Sequence, residues 1–356
     1  MAGAFMANLS YYLEKAVSDG ASDLFIVAGG PVSEKLDGRL KQISEERLLP
    51  GDTKALISEI YEAAERPMED YLSSGDDDFS FAVPGLARFR VNAYMQRGSL
   101  AAVVRVVSFT IPDWKELLIP ERIMDLAGAD HGMILMTGTA GSGKSTTQAC
   151  IIDRINKTRD CHIVTLEDPI EYLHKNQLSI VSQREIAVDT ADYLSALRAC
   201  LRQAPDVILL GEMRDPETIR TALTAAETGH LVIGTLHTKG AVNAIDRIID
   251  SFPSSYQAQI RMMLSAVLKT VVSQELLPGI NGERVPAFEV MHVNNAIRSM
   301  IRDNKNHQIN NAIAAGGSEG MITMDQAMIE LYRAGKITKE TALGYAYTPD
   351  LVARQL

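Results

Sequence analysis

Short apolar runs, each closed by a charged or glycine-containing turn, recur through the middle of this chain. Met133-Ile134-Leu135-Met136, residues 161–166, 207–210 and 231–236 are the clearest of them. Runs of this length predict strands of a parallel sheet buried on both faces. Residues 146–155 between the first two have helical spacing, so the region predicts strand–helix alternation and an α/β fold. Further on, 255–276 is rich in Met and Leu and reads as one long helix. Segments 295–303, 324–334 and 339–345 continue a helical C-terminal region.

The first 110 residues have a different texture. A helix is predicted at 9–18, a short strand at 24–27, turns at Gly29-Gly30-Pro31 and Asp37-Gly38, and a second helix at 53–65. Asp76-Asp77-Asp78 reads as a solvated turn. Residues 88–96 alternate polar and apolar, Arg97-Gly98-Ser99 turns the chain, and 100–107 is apolar apart from Arg105. This order predicts a compact α+β domain. Ile111-Pro112-Asp113 and Ile119-Pro120 mark a boundary. The expected division is 1–110, a linker at 111–118 that could begin as early as 108, and 119–356. Such a linker is a hinge about which bound states could swing the domains.

Composition narrows the class. A chain of 356 residues has room for two cores, and 22% charged with 46% hydrophobic residues describes an ordinary globular protein. No apolar run approaches the ~20 residues of a membrane span, and Met1 to Asn8 lack the pattern of a secretory signal. Cys150, Cys161 and Cys200 form no C-x-x-C pair and read as buried thiols of a reducing cytoplasm. With 35 basic against 45 acidic residues and no basic run, nucleic-acid binding is not expected.

The chemistry centres on Gly138-Thr139-Ala140-Gly141-Ser142-Gly143-Lys144-Ser145, which fits the G-x-x-x-x-G-K-[ST] phosphate loop without a mismatch. Glycines let the backbone curl so that several N–H groups face one phosphate chain, and the following helix, through Thr146, adds its positive N-terminus. Lys144 would neutralise β/γ oxygens of ATP, and the Ser145 hydroxyl would hold Mg²⁺. Hydrolysis also needs an acid. Glu212 follows the predicted strand 207–210 after Gly211, at the edge where open α/β sheets bind ligands. There it can hold the metal shell or orient the attacking water. Glu167 and Asp168 repeat the pattern after 161–166, with Pro169 enforcing the break. His230 and His237 bracket the strand 231–236 and must lie at opposite ends of it. His237 is the better placed for a γ-phosphate, with His230 the second candidate. Arg88, Arg90, Arg97 and Arg105 are candidates for a cation reaching the nucleotide of a neighbouring subunit, which would tie hydrolysis to a closed head-to-tail ring.

The phosphate loop, the acidic box 165–172 (Thr-Leu-Glu-Asp-Pro-Ile-Glu-Tyr), the 201–215 segment and Ala226-Glu227-Thr228-Gly229-His230 running on to Thr235-Leu236-His237-Thr238 together resemble the type II/type IV pilus secretion ATPases. Within that superfamily the chain is most similar to the pilus-retraction branch, over nearly its whole length. The resemblance implies a PAS-like N-terminal domain, a RecA-like P-loop ATPase domain and a hexameric ring driving pilus disassembly and twitching motility. It also implies an inner-membrane pilus platform protein, and other pilus motor ATPases, as partners, and a place at the inner face of the cytoplasmic membrane. Glu212 would be the Walker B acid, Glu167 the acid of the Asp box, and Arg97 and Arg105 the favoured arginines. The family's Ala-Ile-Arg-Asn-Leu-Ile-Arg-Glu retraction motif falls on 296–303, where this chain departs at Ser299, Met300 and Asp303. Two alternatives stand beside retraction. An assembly or secretion ATPase would usually carry a longer N-terminal extension and a four-cysteine zinc knuckle. A non-hydrolysing nucleotide-gated module fits poorly with Lys144, Ser145, Glu167 and Glu212 all being present.

Overall fold

The computed structural model describes residues 8–36, 38–107 and 110–356. The chain start, Asp37 of the predicted turn, and residues 108 and 109 of the expected linker lie outside these. The chain divides into two compact units, residues 1–110 with 171–173, and 111–170 with 174–356.

In the first unit α1 (Leu9–Asp19) precedes strands β1 (Asp23–Ile26), β2 (Ser33–Leu36) and β3 (Arg39–Gln42). Helices α2 (Pro50–Ala63) and α3 (Glu69–Ser74) follow, then β4 (Asp76–Val83), β5 (Ala87–Gln96) and β6 (Ser99–Val107). The six strands form one antiparallel sheet in the order β3-β2-β1-β6-β5-β4. Its core joins Leu13, Leu56, Ile60, Phe89 and Val104. The acidic run expected to be a turn is instead the start of the edge strand β4. Asp77 accepts from the Tyr61 hydroxyl and the Arg66 guanidinium, each at 2.9 Å, and Asp78 pairs with Arg90. Phe79 and Phe81, alternating on the inner face, bury the strand.

The second unit begins with α4 (Glu121–Met124), β7 (Gly132–Thr137), α5 (Lys144–Thr158), β8 (His162–Glu167), β9 (Ile180–Glu185), α6 (Tyr193–Cys200) and β10 (Val207–Leu210). It continues through α7 (Pro216–Glu227), β11 (Leu231–Leu236), α8 (Ala241–Asp250) and α9 (Ser254–Val267) to β12 (Leu268–Pro278) and β13 (Arg284–His292). Five helices close it: α10 (Asn295–Arg302), α11 (Ile309–Ala315), α12 (Met324–Arg333), α13 (Lys339–Tyr345) and α14 (Pro349–Ala353). The seven-stranded sheet runs β13-β12-β7-β11-β10-β8-β9, with only β13 antiparallel to its neighbour. Every residue of β7, β10 and β11 is buried, as two-sided cover requires. One face packs on α5 through Cys150, Ile151, Ile152 and Ile155, and burying each of the isoleucines fully is worth about 1.5–3 kcal/mol. The other face packs on α6 to α9. Residues 111–118 pack within this unit, where the Pro112 carbonyl accepts from Cys150 Sγ at 3.5 Å and Trp114 and Leu117 lie on the α5 core.

The predicted helix 255–276 stops at Val267, and 268–278 is a strand. Thr270, Val271 and Val272 are β-branched, and the slot between β7 and β13 offers them full burial. The C-terminal region is therefore helical only beyond β13. There Ile297 and Ile301 of α10 face the core, Asn294 caps the helix by accepting from the Ile297 amide, and Arg302 is exposed.

Candidate active site

β7 feeds directly into the glycine loop. Gly138, Gly141 and Gly143 hold φ values of 141°, 76° and 87°, which side-chain-bearing residues rarely adopt. Two of these positions are also too crowded for a Cβ. One added at Gly138 would collide with the Gln274 carbonyl oxygen, and one at Gly143 would lie 2.8 Å from Gln274 Nε2. Gly143 leads α5, so the amides of Lys144, Ser145 and Thr146 form its positive first turn. The Lys144 ammonium is buried and spans the loop, donating to the Gly138 and Thr139 carbonyls at 2.9 and 2.7 Å. Ser142 Oγ is buried without a hydrogen-bond partner. A buried hydroxyl left so is destabilising by itself, as befits a cradle built for an incoming polar group.

The sheet order puts β11 beside the loop strand, β10 next, then β8. Gly211 ends β10 with its amide donating to Leu166 O at 2.8 Å, and a side chain there would press on the Tyr193 hydroxyl. Glu212 follows with its carboxylate about 10% exposed. It pairs with Arg214 Nε at 2.6 Å and with His237 Nε2 at 3.5 Å. The Arg214 guanidinium offsets the desolvation of that acid. Glu167 ends β8, its Oε1 accepting from Thr165 Oγ1 at 2.6 Å and Gln183 Nε2 at 3.2 Å. Gln148 of α5 donates to Thr235 Oγ1, which donates in turn to Leu210 O, joining helix, β11 and β10. Tyr193 lies among Glu212, Asp168 and Glu167. Burial first, then these acids, push its hydroxyl well above the usual range, so it stays protonated.

The structure thus gathers Lys144, Ser145, Glu167, Glu212 and His237 at the C-terminal edge of one sheet. It does not bring His230 there. That ring lies at the opposite end of β11, about 20 Å away at ~3.3 Å per residue, its Nδ1 bonded to Ala225 O at 2.9 Å. Arg97 sits exposed at the tip of the β5–β6 hairpin with φ 50°, beside Gly98. Arg105 is paired with Asp23 at 2.9 Å and still 64% exposed, while Arg90 is held by Asp78.

Sequence reasoning missed several groups. Gln274, Gln148 and Tyr193 carry no motif signal of their own, and Arg214 lies in the 201–215 segment without a role read from it. A cavity of about 230 Å³ opens beside the loop, lined by Leu117, Leu118, Ile119, Thr146, Leu276 and Arg284. Its apolar walls come from three distant segments, so only the fold assembles it.

A parallel sheet whose edge gathers a phosphate cradle, two acids and a histidine defines a P-loop nucleotide-hydrolase core. The chain belongs to the type II/IV secretion system protein family, whose model matches residues 3–283. It is 44% identical over 343 residues, 96% of this chain and 99% of the relative, to the type IV pilus retraction ATPase PilT of Pseudomonas aeruginosa. A twitching motility protein of Neisseria gonorrhoeae is 44% identical over 86% of this chain and 82% of its own length. The crystal structure of the pilus retraction motor PilT with bound ADP superposes with a TM-score of 0.89 at 45% identity, covering 98% of this chain and 99% of that one.

Proposed function

We propose that this protein is an ATP-hydrolysing motor that drives type IV pilus retraction. The observation that carries the reading is a convergence at one sheet edge. A glycine loop with no room for a Cβ at Gly138 or Gly143 lies there with the Glu212–His237 pair. The similarity to an ADP-bound retraction motor supports it.

The phosphates lie in the cradle 138–146, with Lys144 leaving the Gly138 and Thr139 carbonyls for phosphate oxygens, and the base enters the apolar cavity beside Thr146. Ser145 and Glu212 would hold Mg²⁺, which supplies charge neutralisation on the β/γ oxygens. Glu212 orients the attacking water and accepts its proton, His237 fixes the Glu212 carboxylate, and Glu167 shares the placement of water and metal. The Tyr193 O–H faces these acids as a donor. Attack is in line with the departing ADP oxygen.

The functional domains are 1–110 and 119–356 with 111–118 between them. The working form is a homo-hexamer in which Arg97 and Arg105 act on a neighbouring subunit's nucleotide, and the output goes to an inner-membrane pilus platform protein. No helix among the described residues is long and apolar enough to cross a membrane, which fits a peripheral place on the cytoplasmic face. Deleting the gene in its native host should leave surplus pili that do not retract. A cell without pili would contradict retraction and point to assembly.

A further inference from the structure

β12 carries three consecutive buried polar residues, Ser273, Gln274 and Glu275, between the apolar pairs Val271-Val272 and Leu276-Leu277. Buried polar groups are kept only where something satisfies them. Here the partners divide by face. Side chains alternate along a strand, so Gln274 faces α5 with Val272, while Ser273 and Glu275 face α8 with Val271.

On the α5 face, Gln274 meets both ends of the phosphate loop. Its carbonyl oxygen closes on Gly138, its Nε2 closes on Gly143, and its Oε1 accepts from Thr147 Oγ1 at 2.9 Å. On the other face, three successive residues after His237 are held one by one. Lys239 Nζ pairs with Glu275 Oε1 at 3.2 Å. The Gly240 amide donates to Ser273 Oγ at 3.0 Å. The Ala241 amide donates to Glu289 Oε1 at 2.7 Å, from the residue opposite Ser273 on β13. Tyr347 covers Gly240 and lies 3.4 Å from Ser273 Oγ through its hydroxyl. The segment after His237 is thus tied to this strand pair at three successive residues, with Tyr347 over Gly240 and the His237 ring itself on Glu212.

We propose that Ser273, Gln274 and Glu275, with Glu289, form a positioning element that sets the phosphate loop from one face and the His237 loop from the other. A nucleotide in the loop is then felt at His237 through a single strand. The proposal rests on the nucleotide-site reading above, and its residues position groups rather than touch the reacting atoms.

The test uses the purified full chain, with ADP affinity, ATP turnover and Tm read for each variant. Gln274→Met, near in volume but without the amide, should weaken ADP about 10-fold, and Thr147→Val should do the same while Thr147→Ser restores binding. Glu275→Gln should leave ADP affinity within about 2-fold and lower kcat about 10-fold. In the double variant Gln274→Met/Glu275→Gln, the kcat loss should fall short of the product of the single losses by about 3-fold or more. Strictly multiplicative losses, or losses that follow Tm alone, would overturn the coupling. Where Gln274→Met proves unstable, Thr147→Val and its serine rescue decide. Lys144→Ala separates the two readings. If it binds ADP normally, the nucleotide site is wrong. If it loses ADP while the Gln274, Thr147 and Glu275 variants behave as wild type, only the positioning element falls.

Discussion

Lys144→Ala lowers ATP turnover by about 10²–10³ and weakens ADP roughly 30–150-fold, with Tm little changed. The affinity figure follows from one charge-assisted contact, about 2–3 kcal/mol at tenfold per 1.4 kcal/mol. The turnover figure follows from removing a preorganised cation from a site where charge develops. Stability should hold because the Gly138 and Thr139 carbonyls that the ammonium bonds, at 2.9 and 2.7 Å, belong to its own loop, which glycine conformations fix independently. Isothermal titration with ADP and a phosphate-release assay measure both quantities. Wild-type values in both would reject the cradle.

Glu212→Gln has the opposite signature. Turnover falls by about 10²–10⁴, the range expected when a positioned general base is lost, while ADP affinity stays within a few-fold. Glutamine keeps the size and can still accept from Arg214, so the buried β10 terminus should survive. Read without Mg²⁺, which Glu212 would help to hold, ADP binding strengthens when a negative charge near the phosphates is removed. Single-turnover kinetics with saturating ATP isolate the chemical step. Parallel loss of ADP binding and turnover would show that Glu212 holds the site together rather than acting on water.

Those two residues were legible from sequence for different reasons. Lys144 stands in a spacing that only a phosphate loop requires, and the loop's glycines are needed because a Cβ would strike Gln274 or lack the required φ. Glu212 was found because four apolar residues and a glycine place it at a strand end. The buried parallel strands were equally plain, their apolar runs needing no partner to be recognised. β12 was not. Its first half continues the apolar texture of the end of α9, where Met262, Met263, Leu264 and Val267 stand, and the change of period at Val267 is imposed by the slot between β7 and β13. The strand β4 was missed because Asp76 to Asp78 look like a turn. On an edge strand, outward carboxylates are tolerated, and Arg66, Tyr61 and Arg90 satisfy two of them. Gln274, Gln183 and Tyr193 reach the site by long-range pairing, which no local pattern encodes. His230 shows the converse, a histidine within a recognisable motif that the six-residue strand β11 holds away from its own chain's cradle.

A crystal structure of the protein grown with ADP tests the central claim most directly. The β-phosphate should lie within hydrogen-bond distance of the amides of 141–145, with Lys144 turned from the Gly138 and Thr139 carbonyls toward it and the base against Leu117 and Leu276. Density for ADP anywhere else, with the glycine loop unchanged and Lys144 still on its own carbonyls, would contradict the account.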